Sequence, residues 1–434
     1  MVVALGVGCG ARTGLDVGAG DASRRAVPPP PPPDGSEPGP DAGPGRAPPS
    51  DAGLDAGLPE PPLDVDGGPG PVVPPDVRPR QLIAAGWRHT CAAVRGVVWC
   101  WGFDTSGQCG GDRSSERVDR PNRIALDGVA VEVSAGEQHS CALLSSGEVR
   151  CWGNNDIGQL GDGTTRESRS PVRVLDVHDA VRVGAAGSHT CALSASGQVW
   201  CWGHGGFGQL GDGTRNSSSR AHRVPGISDA VDFEAGRRHT CVVRRSGARG
   251  GQLTCWGANG QGQLGRETGS GTDELTPIDL AGYDDVVVVN AGAYHTCALR
   301  TGHAVDCWGS SNVSYGGGYW GTLGFEFRPV STFARPAHIS AGDRGTTCDV
   351  EEDGRVRCFT VSGGEASSGP IGTEEGRDIS GIADANEVSV GYEHACATLA
   401  AGGVACWGSN EFGQLGHAGV VTPDGFTPVR VDGL

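Results

Sequence analysis

Apolar residues alternate with small or polar ones along 129–135 (VAVEVSA), a Gly-led turn follows at 136–138, and an apolar segment resumes over 139–144 (HSCALL). A two-residue period of this kind predicts half-buried strands. Next come a short turn ending in Gly147, a third strand over 148–152 (EVRCW), a Gly-rich loop anchored by Leu160 (GNNDIGQLGDGT) and a fourth strand at 171–174 (PVRV). The second and third strands form a hairpin, on the length of the turn and its Gly. The string at 135–164 returns fifty residues later at 185–214, and weaker copies begin at Ala85, Ala235, Ala291, Ala341 and Val390. Their first cysteines step along the chain by 50, 50, 50, 56, 51 and 48 residues. Four short antiparallel strands repeated with a period near fifty are the content of a β-propeller blade.

Each predicted hairpin carries two cysteines: Cys91 and Cys100, Cys141 and Cys151, Cys191 and Cys201, Cys241 and Cys255, Cys297 and Cys307, Cys348 and Cys358, Cys396 and Cys406. Facing residues on antiparallel strands lie within disulfide reach, so one bridge is expected inside every blade. A zinc site is the rival, but the cysteines do not form Cys-x-x-Cys pairs, and no metal is expected. Seven bridges imply an oxidising compartment: envelope, cell surface or medium. Cys109 is left over; it stands where Leu160 and Leu210 stand, as a small buried apolar residue.

Composition divides the chain. All ten Trp and every Cys except Cys9 fall beyond residue 80. Residues 10–77 are rich in Pro, Gly, Ala and Asp and lack aromatics, so they cannot bury enough surface to offset ordering and are expected to form a disordered linker. At about 3.1 Å per residue, a Pro-rich stalk of this length reaches on the order of 200 Å. Residues 1–9 (MVVALGVGC) resemble the end of a lipoprotein signal, with Cys9 as the expected lipidation site and the only expected link to a membrane. No apolar run reaches the length of a transmembrane helix. The net charge of −17 argues against a nucleic-acid partner. Gly accounts for 75 of 434 residues, more than twice the usual share of about 7%, and its periodic placement marks turns.

The pattern A-G-x-x-H-[ST]-C-A-L…G-x-V-x-C-W-G-x-N-x-x-G-Q-L-G-D-G resembles the RCC1 repeat (regulator of chromosome condensation), with Gly-Gln-Leu-Gly loops at 158–161, 208–211, 262–265 and 413–416. The resemblance covers 78–434 and implies an all-β, seven-bladed propeller, with hairpin cysteines of the kind found in exported bacterial members. It further implies that the C-terminal segment 427–431 (TPVRV) completes the first blade and ties the ring. Repeats five and six depart from the pattern. Repeat five carries an aromatic, Gly-rich insertion at 310–324; repeat six has Phe359 for Trp, Thr346 for His, and a long polar loop at 362–386.

His89, His139, His189, His239, His295 and His394 recur at one position, each expected to make the same hydrogen bond within its own blade. The recurring Trp101, Trp152, Trp202, Trp256, Trp308 and Trp407 read as packing between blades, and the Asp-Gly-Thr steps at Asp162 and Asp212 as turns. No nucleophile elbow, phosphate loop or zinc motif is present. The positions that vary are the two residues before each His: Trp87-Arg88, Glu137-Gln138, Gly187-Ser188, Arg237-Arg238, Ala293-Tyr294 and Tyr392-Glu393. Sharing one turn, they should share one face, and their aromatic and Arg content suits an interface. The expectation is an exported monomeric module that binds a protein or other macromolecule, with no cofactor. The alternatives are an extracellular lyase or hydrolase, a guanine-nucleotide exchange factor and an enzyme inhibitor. The first requires His and acidic side chains converging at one ring mouth, and the disulfides speak against the second.

Overall fold

The computed structural model describes residues 81–111, 116–247, 251–266, 273–310, 328–330, 335–360, 376–419 and 425–434, all within one compact unit, Pro69–Leu434. Cys9, the 10–77 segment, the repeat-five insertion after Ser310 and most of the 362–386 loop lie outside them. Within the described residues the chain forms seven four-stranded antiparallel sheets, each built from four consecutive strands in the order 1-2-3-4. The first blade is β1 (Ile83–Ala85), β2 (His89–Val94), β3 (Val97–Phe103) and β4 (Arg117–Arg123); the second is β5 (Ala130–Ala135), β6 (His139–Leu144), β7 (Val149–Gly153) and β8 (Ser168–Arg173). All-β architecture, seven blades and the four-strand repeat are as the sequence predicts.

The β6–β7 hairpin pairs His139 with Gly153, Cys141 with Cys151 and Leu143 with Val149. That register places the two cysteines opposite each other, and the Cys141–Cys151 bridge closes with Cα atoms 4.1 Å apart. All seven predicted pairs are bridged in this way. Gly153, which ends β7, has φ 108°, and a Cβ there would lie 2.6 Å from the Gln138 carbonyl. This explains the Gly of the repeated Cys-Trp-Gly.

Among the described residues there is no single core. Seven apolar clusters fill the seams between blades. The Trp152 cluster brings the ring from blade two against Cys91, Val98 and Cys109 of blade one; Trp202 from blade three packs with Leu143, Leu160 and Val174 of blade two. The six recurring Trp are fully buried, and Cys109 is a free thiol at zero exposure in the Leu160 position.

The expected strand at 427–431 does not enter blade one. Val429–Arg430 pairs with Ala405 and Cys406 in blade seven. Arg117–Arg123 already occupies the edge of the first sheet, without the Pro-Val-x-Val pattern that would have marked it. The ring closes by side chains instead: Val431, with Val429 and Leu434 beside it, packs with Ile83, Ala92 and Trp101, and the Ala85 N–H donates to Ser389 Oγ at 2.9 Å.

Candidate binding face

The turns between first and second strands rest on a repeated hydrogen-bond relay at the blade seams. The His139 ring reaches out of its own blade: Nε2 lies 2.8 Å from Thr190 Oγ1 of blade three. Thr190 Oγ1 donates to the Gln159 carbonyl of blade two, and Trp202 Nε1 of blade three donates to that same carbonyl. Because the hydroxyl proton goes to Gln159, the hydroxyl accepts from His139 Nε2–H, so Nε2 carries a proton. The same four-membered arrangement joins blades seven and one (His394, Thr90, Gln414, Trp101) and blades one and two (His89, Ser140, Gln108, Trp152). It also joins three and four (His189, Thr240, Gln209, Trp256) and four and five (His239, Thr296, Gln263, Trp308). The His bond is therefore between blades, which corrects the expectation of a bond within each blade. Its partner sits one repeat further on, where a small hydroxyl residue follows the next His. Burial holds the imidazoles of His89, His139, His189, His239 and His394 down to about 3 and that of His295 to about 4.

Blade six interrupts the relay. His295 still bonds Thr347 at 3.1 Å, but Thr346 takes the next His position, Ala395 has no hydroxyl, and Trp407 Nε1 has no partner among the described residues.

On this frame the variable turn residues meet one another at the mouth of the central channel. Trp87 and Tyr392 contact edge to face at 5.7 Å between centroids. The Arg88 guanidinium lies 4.3 Å over Trp87 and 4.4 Å over Phe412. Arg237 of blade four reaches Glu137 of blade two at 2.6 Å and donates to the Tyr294 hydroxyl at 3.2 Å. Arg238 stacks on Phe207 at 4.4 Å. Glu393 pairs with Arg344 at 2.8 Å, and Arg344 also donates to the Tyr392 hydroxyl. Gln138 is half-buried at the same end, with its carbonyl accepting from Asn154 N–H. Gly187 and Ala293 are buried, and Ser188 is half-buried.

Sequence reasoning missed four members: Asp343 and Arg344, and the loop residues Phe207 and Phe412. Asp343-Arg344 follow an Ala-Gly as Trp87-Arg88, Glu137-Gln138, Arg237-Arg238 and Ala293-Tyr294 do, but one extra residue before Thr346 hides the alignment. Burial at the mouth pushes the Asp343 carboxyl up to about 6; Arg237 opposes this and Glu137 adds to it.

Behind the mouth the inner strands enclose a polar cavity of about 80 Å³, lined by residues such as Ser134, Glu234, Asn290, Ser340 and Ser389. Deeper, Arg182 is buried between Glu132 (3.1 Å) and Asp232 (2.9 Å), which ties blades two, three and four around the axis. Burial disfavours the charged guanidinium, but the two carboxylates outweigh it and raise its pKa. Among the described residues no group of three His, Cys, Asp or Glu side chains is placed to hold a metal ion.

Comparison with known proteins fits this geometry. The family model described as "RCC1-like domain" matches residues 65–321, more than half of the chain, and the "Regulator of chromosome condensation (RCC1) repeat" matches 386–414. The ultraviolet-B receptor UVR8 of Arabidopsis thaliana is 30% identical over 371 residues, covering 81% of this chain and 69% of its own. The human probable E3 ubiquitin-protein ligase HERC3 is 34% identical over 96 residues, which is 22% of this chain and only 9% of that protein. Among solved structures, yeast RCC1 (Prp20) bound to Kap60 superposes with a TM-score of 0.65 at 20% identity, covering 78% of this chain and 84% of Prp20. With the repeated His relay, the seven blades and these matches together, the chain belongs to the RCC1-like family of β-propellers.

Proposed function

We propose that this propeller is an exported protein-binding module, presented through the turns at one face and held at a membrane by a lipid on Cys9. The observation that carries the binding reading is the collar of half-buried aromatic and charged side chains at the channel mouth. There the repeated scaffold stops repeating, and Trp, Tyr and Arg gather as they do at interface hot spots. Seven disulfides support export, since such bridges persist in oxidising compartments. The yeast fold neighbour was crystallised with a protein, Kap60, which favours a protein partner over a small molecule.

Cross-linking the oxidised protein to the producing organism's envelope and secreted fractions tests this. The expected result is one dominant protein joined through the turns. Replacing Trp87, Arg238 and Tyr294 together should then weaken capture at least tenfold while the disulfides and the thermal transition stay unchanged; unchanged capture removes the face from consideration. Labelling with a radioactive fatty acid tests the anchor, and a Cys9→Ala variant should lose both the label and the membrane fraction.

A further inference from the structure

We infer that two aromatic-clamped arginines, Arg88 and Arg238, are the contact points of this face, and that each receives a carboxylate of an acidic protein segment. This rests on the binding reading above and adds the chemistry of the partner.

Five arginines at this end are paired with carboxylates, and two are held on aromatic rings. Arg237 is paired with Glu137, Arg344 with Glu393, Arg169 with Asp104, Arg215 with Asp273 and Arg266 with Glu274. Arg88 and Arg238 have no carboxylate or carbonyl partner for their guanidinium groups among the described residues. Instead each lies on an aromatic ring: Arg88 between Trp87 and Phe412, Arg238 on Phe207.

The device is the same at both places. The Arg is the residue immediately before the His of its blade, and the Phe is the residue before the Gly-Gln-Leu-Gly of the preceding blade. The backbones that carry them are fixed by the seam relay, since Gln414 and Gln209, two residues after Phe412 and Phe207, are the carbonyl acceptors of the 7/1 and 3/4 seams.

A guanidinium stacked on a ring keeps its charge and its planar fork, and much of its rotamer freedom is already lost before binding. Left without an internal carboxylate, such a fork is preorganised for a bidentate pair with one. Local complementarity thus points to Asp or Glu on the partner, although the chain as a whole carries −17.

The test uses the full-length oxidised chain with poly-L-glutamate as the probe, followed by the cross-linked partner itself. Poly-L-glutamate is expected to bind with an affinity that falls as salt rises. Arg88→Gln and Arg238→Gln should each weaken it about tenfold. Arg88→Lys, which keeps the charge without the fork, should restore only part of the loss. Replacing the rim residues Arg120 and Arg123 by Gln should leave binding unchanged. Equal binding by the parent and the double variant overturns the inference, as does equal loss in the rim variant. If the captured partner binds the double variant as tightly as the parent, the clamps fail while the binding-module reading stands. If the double variant only changes a self-association seen by sedimentation, the occupant is a second copy and the inference is wrong.

Discussion

The smallest unit that explains this molecule is a main-chain carbonyl with two donors. The Gln159 carbonyl receives Thr190 Oγ1 at 2.9 Å and Trp202 Nε1 at 2.9 Å, both from the next blade, in a site without water access. Removing one donor should cost roughly 1–2 kcal/mol, so Trp202→Phe should lower the denaturant midpoint without changing the near-native spectrum, and an unaltered midpoint would show the relay to be incidental. The buried imidazoles make a second claim. Their ordinary value of 6.5 applies in the unfolded chain, and burial lowers five of them to about 3 in the folded one. A group depressed by folding stabilises the native state above its unfolded pKa and loses that contribution as pH falls toward the folded value. Stability should therefore decline from about pH 6.5 downward, with proton uptake on unfolding near pH 5 measurable by calorimetry in two buffers. The His and Trp positions were legible as a repeat, but the direction of the His bond was not. His139 and Thr190 are separated by one repeat, and period alone cannot say whether a repeated side chain turns inward or to its neighbour.

At the scale of the blade, pattern was a strong guide wherever local physics decided. Alternation placed the strands, the Gly turn placed the hairpin, and facing cysteines followed from register. It failed where a distant edge decided: 427–431 looks like the fourth strand of other repeats, yet the first sheet was already complete with Arg117–Arg123. Nor could sequence reveal that Phe412 lies under Arg88, because they meet only when the ring closes.

Blade six is the exception among these units. Asp349 fills the slot held by Ala142 and Ala192 in blades two and three, and is fully buried. Burial raises its carboxyl to about 8; Glu351 reinforces this and Arg357 opposes it. With a folded value above the ordinary 3.8, the native state holds the proton more tightly, so stability is lost as pH rises between those limits. Asp349→Ala should stabilise the blade by about 2–4 kcal/mol at pH 8 and by much less at pH 4. Hydrogen exchange should accordingly find residues 346–360 opening before the equivalent hairpin at 139–153 in the parent protein. Equal protection of the two hairpins would contradict this.

At the scale of the whole molecule, seven apolar seams, five of them carrying the full relay, form a ring whose two ends differ. One end carries the non-repeating collar of Trp87, Arg88, Arg237, Arg238, Tyr294 and Tyr392; the other carries the hairpin turns and the connections between blades. Rigidity from the seams and bridges means that a partner meets a preformed surface, with little ordering cost on that side. The most direct measurement is the affinity of the cross-linked partner for three proteins: the parent, a Trp87/Arg238/Tyr294→Ala variant, and a variant altered at the opposite end at Val129, Asp179 and Asp353. Binding that falls at least tenfold only in the first variant is the predicted result. Loss confined to the second variant, or no loss in either, would contradict the assignment of this face.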